Sequence, residues 1–240
     1  MITETELLTW GSRGLIPGPE EKEAAFLTRV SKACLYANEW GEAAPITRSL
    51  FGFAVDWVPI HYSNKKLPFW EGAAFWIGED PYIQMREGFK KGCYLGYHRA
   101  EVLAHEAVHA ARLAFEEPQF EEILAYRTSK KGLRKWIGPL FQKPWESVVF
   151  IFSLGTTLLG NFWIPLMFLG WFGIRLCWTQ WIVQRCLSKL PLFFLIYLTD
   201  QEIKQFASLS LPKIHTYLKN DQTLRIRSLK LKFESHYSLS

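Results

Sequence analysis

The sequence predicts an α+β fold in which a small antiparallel sheet comes first, a helix hairpin second, an apolar helical segment third and a short helical, basic tail last. Three observations carry this reading. Between Leu50 and Lys90 aromatic and β-branched residues fall in short runs broken by Asn64, Gly72, Gly78 and Pro81, the pattern of strands joined by turns. From Arg99 to Phe115 no Gly or Pro interrupts a stretch rich in Ala, Leu, Val, Glu and Arg, most of them good helix formers. From Ser147 to Ile174 no residue carries a charge, and Phe, Leu, Trp and Ile dominate.

Taken in order, the breaker Pro17-Gly18-Pro19 precedes Ala24, Leu27, Val30, Cys34 and Ala37, whose helical spacing predicts an amphipathic helix from Glu20 to Asn38. The expected strands are Phe51 to Val55, Trp57 to Ile60, Ala73 to Ile77 and Tyr82 to Met85. After the helix from Arg99, Pro118 opens a second one that runs to about Ser129, with Glu121 and Glu122 close to its positive N-terminal end. The two helices form a hairpin. Further on, Thr199-Asp200-Gln201-Glu202 is a capping box that starts a helix to about Leu209. Another short helix passes through Pro212 to Leu218, and a run alternating apolar and basic residues, Leu224 to Phe233, completes the chain.

With 49% hydrophobic and 16% aromatic residues the chain can bury a core, which excludes disorder as its main state. Its four cysteines show no C-x-x-C spacing, which argues against a disulfide scaffold or a cysteine metal cluster and for a reducing compartment. The acidic start Met1 to Glu6 lacks the basic and apolar regions of a secretory signal.

About 20 apolar residues suffice to cross a bilayer, so the uncharged stretch is long enough to enter one. Lys130, Lys131, Arg134, Lys135 and Lys143 precede it, and Arg175, Arg185 and Lys189 follow. Both flanks are therefore expected on the cytoplasmic side. The chain would enter near Trp145, turn between Gly160 and Pro165, and return as a hairpin or re-entrant segment. This divides the sequence into a domain over 1–144, a membrane segment over 145–199 and a cytoplasmic C-terminal region over 200–240. The net charge of +5 calls for an acidic partner. Beside an apolar anchor the basic tail suits anionic lipid headgroups, and nucleic acid is not expected.

The chemistry concentrates in His105-Glu106-Ala107-Val108-His109. On a helix, histidines at i and i+4 stand on one face, as two imidazoles must to reach one tetrahedral zinc ion. Glu106 follows the first of them and is placed to take a proton from a water at the metal. The neighbours Ala104, Ala107, Ala110 and Ala111 are small enough for the helix to pack closely. Arg112 is expected to pair with Glu116, and His98 to sit exposed at the helix start. Asp56, His61 and Glu71 are available as acceptors for the imidazole N–H groups.

His105-Glu106-x-x-His109 followed by Glu122-Ile123-Leu124-Ala125-Tyr126 resembles the gluzincin class of zinc metallopeptidases. The resemblance implies a zincin-like catalytic domain in which His105, His109 and Glu122 bind Zn2+, Glu106 is the general base, and a peptide or protein is the substrate. Only 12 residues separate His109 from Glu122, fewer than gluzincins usually place there. Glu121 is the alternative third ligand, its carboxylate turned about a hundred degrees around the helix. Ala125 and Tyr126 mark the face of Glu122 as the inward one. Tyr126 is a candidate donor to an oxyanion, or a core tyrosine with its hydroxyl at the edge. The expectation is a membrane-attached zinc peptidase. The alternative is a non-catalytic membrane-anchored binding or scaffold protein whose histidines pair with carboxylates such as Glu101 and Glu106.

Overall fold

The computed structural model describes residues 2–35, 40–68, 71–78 and 80–237. The first helix, α1 (Glu4–Ser12), was not expected; its N-cap Thr3 and Glu6 exchange hydrogen bonds in a capping box. Helix α2 (Glu23–Ala33) buries Phe26, Val30 and Ala33. It starts three residues after the expected Glu20, and its expected end at Ala37 and Asn38 lies outside the described residues. A further unexpected helix, α3 (Ala44–Phe51), ends at Gly52, whose φ of 70° is available to glycine without strain.

The strand expected over Phe51 to Val55 is absent, and of the one expected over Trp57 to Ile60 only Ile60 is in a strand. Phe51 closes α3, and the chain from Phe53 to Val58 is irregular although Phe53, Ala54, Val55, Trp57 and Val58 are all buried. An apolar run of this length can be any buried segment. Isolated bonds such as Ala54 N–H to the Ser12 carbonyl (2.9 Å) satisfy its backbone in place of a ladder.

The sheet consists of β1 (Ile60–Tyr62), β2 (Ala73–Trp76) and β3 (Tyr82–Met85), with β3 in the centre. It is mixed rather than antiparallel. The short connection from β2 makes a hairpin that sets Phe75 opposite Ile83, whereas the longer loop after β1 carries the chain past one strand position. β3 fills the position left open and so runs parallel to β1, with Ile60 beside Ile83. A two-stranded ribbon, β4 (Cys93–Tyr94) and β5 (Tyr97–His98), then leads straight into α4 (Arg99–Ala111).

Helix α4 crosses the centre of the molecule with Ala104, Ala107, Ala110 and Ala111 fully buried, so its backbone lies close to α3, β2 and α5 (Pro118–Tyr126). It stops short of the expected Phe115, and Glu116, with φ 53°, makes the turn into α5. The chain continues through α6 (Gly132–Ile137), α7 (Pro144–Gly155) and α8 (Trp163–Leu187). A turn at Gly160, φ 76°, folds α7 back along α8. Among the described helices α8 alone is long and apolar enough to cross a membrane.

The second half of α8 leaves α7 and packs on α10 (Asp200–Ser208), where the Cys186 thiol donates to the Ile203 carbonyl at 3.1 Å. Between them, Leu190 to Leu198, which include α9 (Leu192–Leu195), join the core cluster that also contains α1, α2 and α4. The capping box predicted at Thr199 and Glu202 starts α10. After α11 (Leu211–Asn220), the alternating basic run forms α12 (Leu224–Tyr237) and packs on α1. Residues 238–240 lie outside the described part of the tail.

Helices α10 and α12 meet at a buried ion pair: Arg225 donates to both Glu202 oxygens at 2.8 Å and to the Tyr197 carbonyl at 2.6 Å. Arg225→Ala leaves the Glu202 carboxylate buried without its cation and is expected to cost about 3–5 kcal/mol. Chemical denaturation checks this, and a loss under about 1 kcal/mol would show that water reaches Glu202.

Candidate metal centre

One turn of α4 places the His105 and His109 rings 5.0 Å apart, with their Nε2 atoms separated by 3.2 Å. Glu122, in the middle of α5, extends its carboxylate to both: Oε2 lies 3.5 Å from His105 Nε2 and Oε1 3.5 Å from His109 Nε2. Tetrahedral zinc with bonds of about 2.0–2.1 Å sets its ligand atoms about 3.4 Å apart. The three side chains meet that requirement and could hold a metal ion.

Glu121 does not join them. Its Oε1 lies 2.6 Å from Nδ1 of His109, on the far side of the ring from the other two ligands. There it accepts the Nδ1–H and leaves Nε2 facing His105 and Glu122, the role a carboxylate commonly plays behind a metal-bound imidazole. Asp56, His61 and Glu71 had been the candidates for this role. Asp56 pairs with Arg13 at 2.8 Å, and His61 lies exposed against Tyr82. Glu71 acts on the site only through its charge, which Glu106 and Glu122 feel.

Behind Glu121 stands Arg112, whose side chain has no exposed surface. It does not pair with Glu116. Its Nη1 donates to the carbonyls of Ile196 (3.1 Å) and Leu198 (2.8 Å), and its other nitrogens lie 3.7 Å from Glu121, 3.7 Å from Asp200 and 3.9 Å from Glu117. Asp200 in turn accepts from the Gln119 and Phe120 N–H groups at the start of α5. The helix that carries Glu122 is thus seated by residues that lie beyond α8.

Glu106 is buried, and burial lifts its carboxyl to about 7, with His109 opposing and Glu122, Glu71 and Glu121 reinforcing. Burial also raises Glu122, against the pull of His109. His105 is driven well below its ordinary value by burial and then by the charge of His109. For His109 burial acts downward, yet Glu122 and Glu121 more than offset it and raise the group to about 10. The raised value favours an imidazolium at His109 that donates Nδ1–H to Glu121 and Nε2–H to His105. That second proton sits where a metal ion would sit.

The Tyr126 ring meets His105 edge-on at 4.7 Å between centroids, and burial keeps its phenol protonated. On its other side is Gly138, where a Cβ would come within 2.2 Å of the Tyr126 ring. Glu101, weighed above as a partner for the histidines, instead accepts from Ser129 and faces Arg134 at 3.6 Å. His98 is exposed at the start of α4, with Nδ1 2.9 Å from Cys93 Sγ, outside the cluster. Comparison of the chain with protein families, with curated proteins and with solved structures returns no match.

Because zinc must displace the His109 proton, uptake by the metal-free protein near pH 8 is expected to release at least about one proton, and affinity to rise by up to about tenfold per pH unit below pH 10. Calorimetry in two buffers of different ionisation heat measures the release; a value near zero contradicts the imidazolium. Glu121→Ala is expected to weaken zinc binding by about 10–100-fold without changing its stoichiometry, whereas His105→Ala abolishes it. Competition with a chromogenic chelator separates the two.

Proposed function

We propose that the chain is a membrane-attached zinc metallopeptidase that hydrolyses peptide bonds, its metal held by His105, His109 and Glu122. The observation that supports this most is the convergence of two imidazole nitrogens and a carboxylate within 3.5 Å, next to a buried glutamate on the same helix turn. Zinc bound there supplies the acidity that makes water a nucleophile near neutral pH and polarises the carbonyl under attack.

The protein's own groups do the rest. Glu106, with a carboxyl near 7, takes the proton of the attacking water and delivers it to the leaving amine. Glu121 fixes the His109 ring, and Arg112 fixes Glu121. Tyr126, kept protonated by burial, donates to the oxygen on which negative charge develops. The substrate's backbone has a place to lie: β2 packs against α4 and is an edge strand whose outer side is unpaired among the described residues. An extended peptide can add to such an edge through main-chain hydrogen bonds. The exposed apolar hairpin of α7 and α8 supports attachment to membrane lipid, and the basic residues around it support a cytoplasmic location for the metal centre.

Glu106→Gln tests the reading. The variant is expected to bind one zinc ion per chain and to lose cleavage by about 10²–10⁴-fold. Metal analysis and an unbiased cleavage assay on membrane-fraction proteins check both halves. Zinc retained with cleavage unchanged removes Glu106 from the chemistry, and absence of zinc from the native protein leaves the chain a membrane-anchored scaffold.

A further inference from the structure

The hairpin of α7 and α8 turns its large apolar side chains outward: Phe152, Leu158, Leu159, Trp163, Met167 and Ile174 are all exposed. Its base, by contrast, is fixed to the rest of the molecule. Glu146 in the first turn of α7 receives Arg175 of α8 at 2.5 and 2.7 Å, and Arg175 also donates to the Leu140 carbonyl at 3.0 Å. Beyond this point α8 belongs to the main body. Gln180 donates to the Lys135 and Trp136 carbonyls, and Ile182, Val183 and Cys186 are buried.

What projects past the base is short. Trp163 to Ile174 amounts to twelve residues of helix, about 18 Å at the usual rise, and the α7 arm from Ser147 to Leu159 climbs about 20 Å. The hydrocarbon of a bilayer is about 30 Å thick and one leaflet about half that. To cross, α8 would have to enter as far as about residue 182, some 20 residues at the same rise. That would place Arg175 in hydrocarbon, away from Glu146, and pull part of the second half of α8 from α10.

The surface around the base has the composition of a headgroup layer contact. Leu133, Trp136 and Ile137, at i, i+3 and i+4 of α6, are exposed on one face of that helix, with Lys130 and Lys131 exposed at its start. Trp145, Trp178 and Trp181 are exposed at the neighbouring level of α7 and α8, and Lys143 and Arg185 are exposed beside them. Exposed Trp at the edge of an apolar region, with Lys and Arg next to it, is how proteins meet an anionic membrane surface.

We infer that the hairpin enters one leaflet only, its tip near the bilayer midplane, with α6 and the surrounding Trp, Lys and Arg side chains in the headgroup layer and both arms returning to the side of the metal centre. This rests on the membrane attachment proposed above and not on the peptidase chemistry. It has a consequence for the substrate. Through Gly138 the end of α6 is one side chain, Tyr126, from His105, so under the peptidase reading the site would serve peptide segments that lie at the membrane surface.

The test uses the full chain with Cys34, Cys93 and Cys177 changed to Ser and Leu159→Cys at the tip, reconstituted in vesicles of phosphatidylcholine and phosphatidylglycerol. A fluorophore on that cysteine is expected to be quenched more by nitroxides deep in the acyl chains than by those near the headgroup, and the free thiol to resist an impermeant maleimide from either side. Labelling from the side opposite the metal centre overturns the single-leaflet placement and leaves membrane attachment standing. Protein that stays in the aqueous fraction on flotation overturns both, while the zinc and cleavage measurements stand apart from either result. Changing Lys130, Lys131 and Lys143 together to Glu is expected to weaken binding to the phosphatidylglycerol vesicles by at least about a hundredfold, from about 1 kcal/mol per basic residue, and to leave binding to pure phosphatidylcholine unchanged. Equal binding to both overturns the headgroup placement.

Discussion

A guanidinium without exposed surface has to be answered from within the protein, because leaving such a cation unpaired is prohibitively costly. Arg112 is answered from three separate parts of the chain: by Glu117 and Glu121 on and before α5, by the carbonyls of Ile196 and Leu198, and by Asp200 at the start of α10. Burial lowers its affinity for the proton below the ordinary value, and the three carboxylates offset only part of that. This residue stands directly behind the candidate metal centre. Its Nε lies 3.7 Å from Glu121, which accepts from His109, and Asp200 caps the helix that presents Glu122, so the candidate ligand on α5 meets those on α4 at the spacing a tetrahedral ion requires.

The cluster could hold a cation, and its electrostatics are consistent with one. Three carboxyl groups and two imidazoles lie together in a buried setting, and without a metal their mutual repulsion is relieved by protonation of His109 and by raised values at Glu106 and Glu122. An imidazolium is a modest substitute for a divalent ion. The same burial that makes the carboxylates costly to charge makes a metal ion there more strongly attracted.

The local parts of this arrangement were legible in the sequence, and the distant parts were not. His105, Glu106, His109, Glu122 and Tyr126 are related by helical spacing within two adjacent helices, and such spacing converts directly into faces. The capping box at Thr199 and the strands from Ala73 and Tyr82 are equally local signals. The role of Glu121 was half visible, since its position next to Glu122 placed it near the site, but which side of the His109 ring it takes depends on how the two helices cross. Asp200 carried no such signal, being some 80 residues from the helix start that it caps. The irregular run from Phe53 to Val58 misled because apolar content reports burial and not hydrogen-bond pattern, and α1 and α3 were missed because they are only 9 and 8 residues long, although Thr3 and Glu6 are a capping-box signal at the start of α1. The mixed sheet follows from where β3 inserts, which residue composition does not encode.

The dependence on residues 196–200 sets an order of events as the chain is made. Leu198 and Asp200 leave the ribosome only after the whole of α7 and α8, so the seat of α5 is incomplete until the apolar hairpin has been produced. A nascent chain that has exposed His105, His109 and Glu122 still lacks the carbonyls and the carboxylate that hold Arg112. Assembly of the candidate metal centre is therefore coupled in time to the fate of the hairpin, and a chain stalled or cut before residue 196 carries His105, His109 and Glu122 without the groups that surround Arg112.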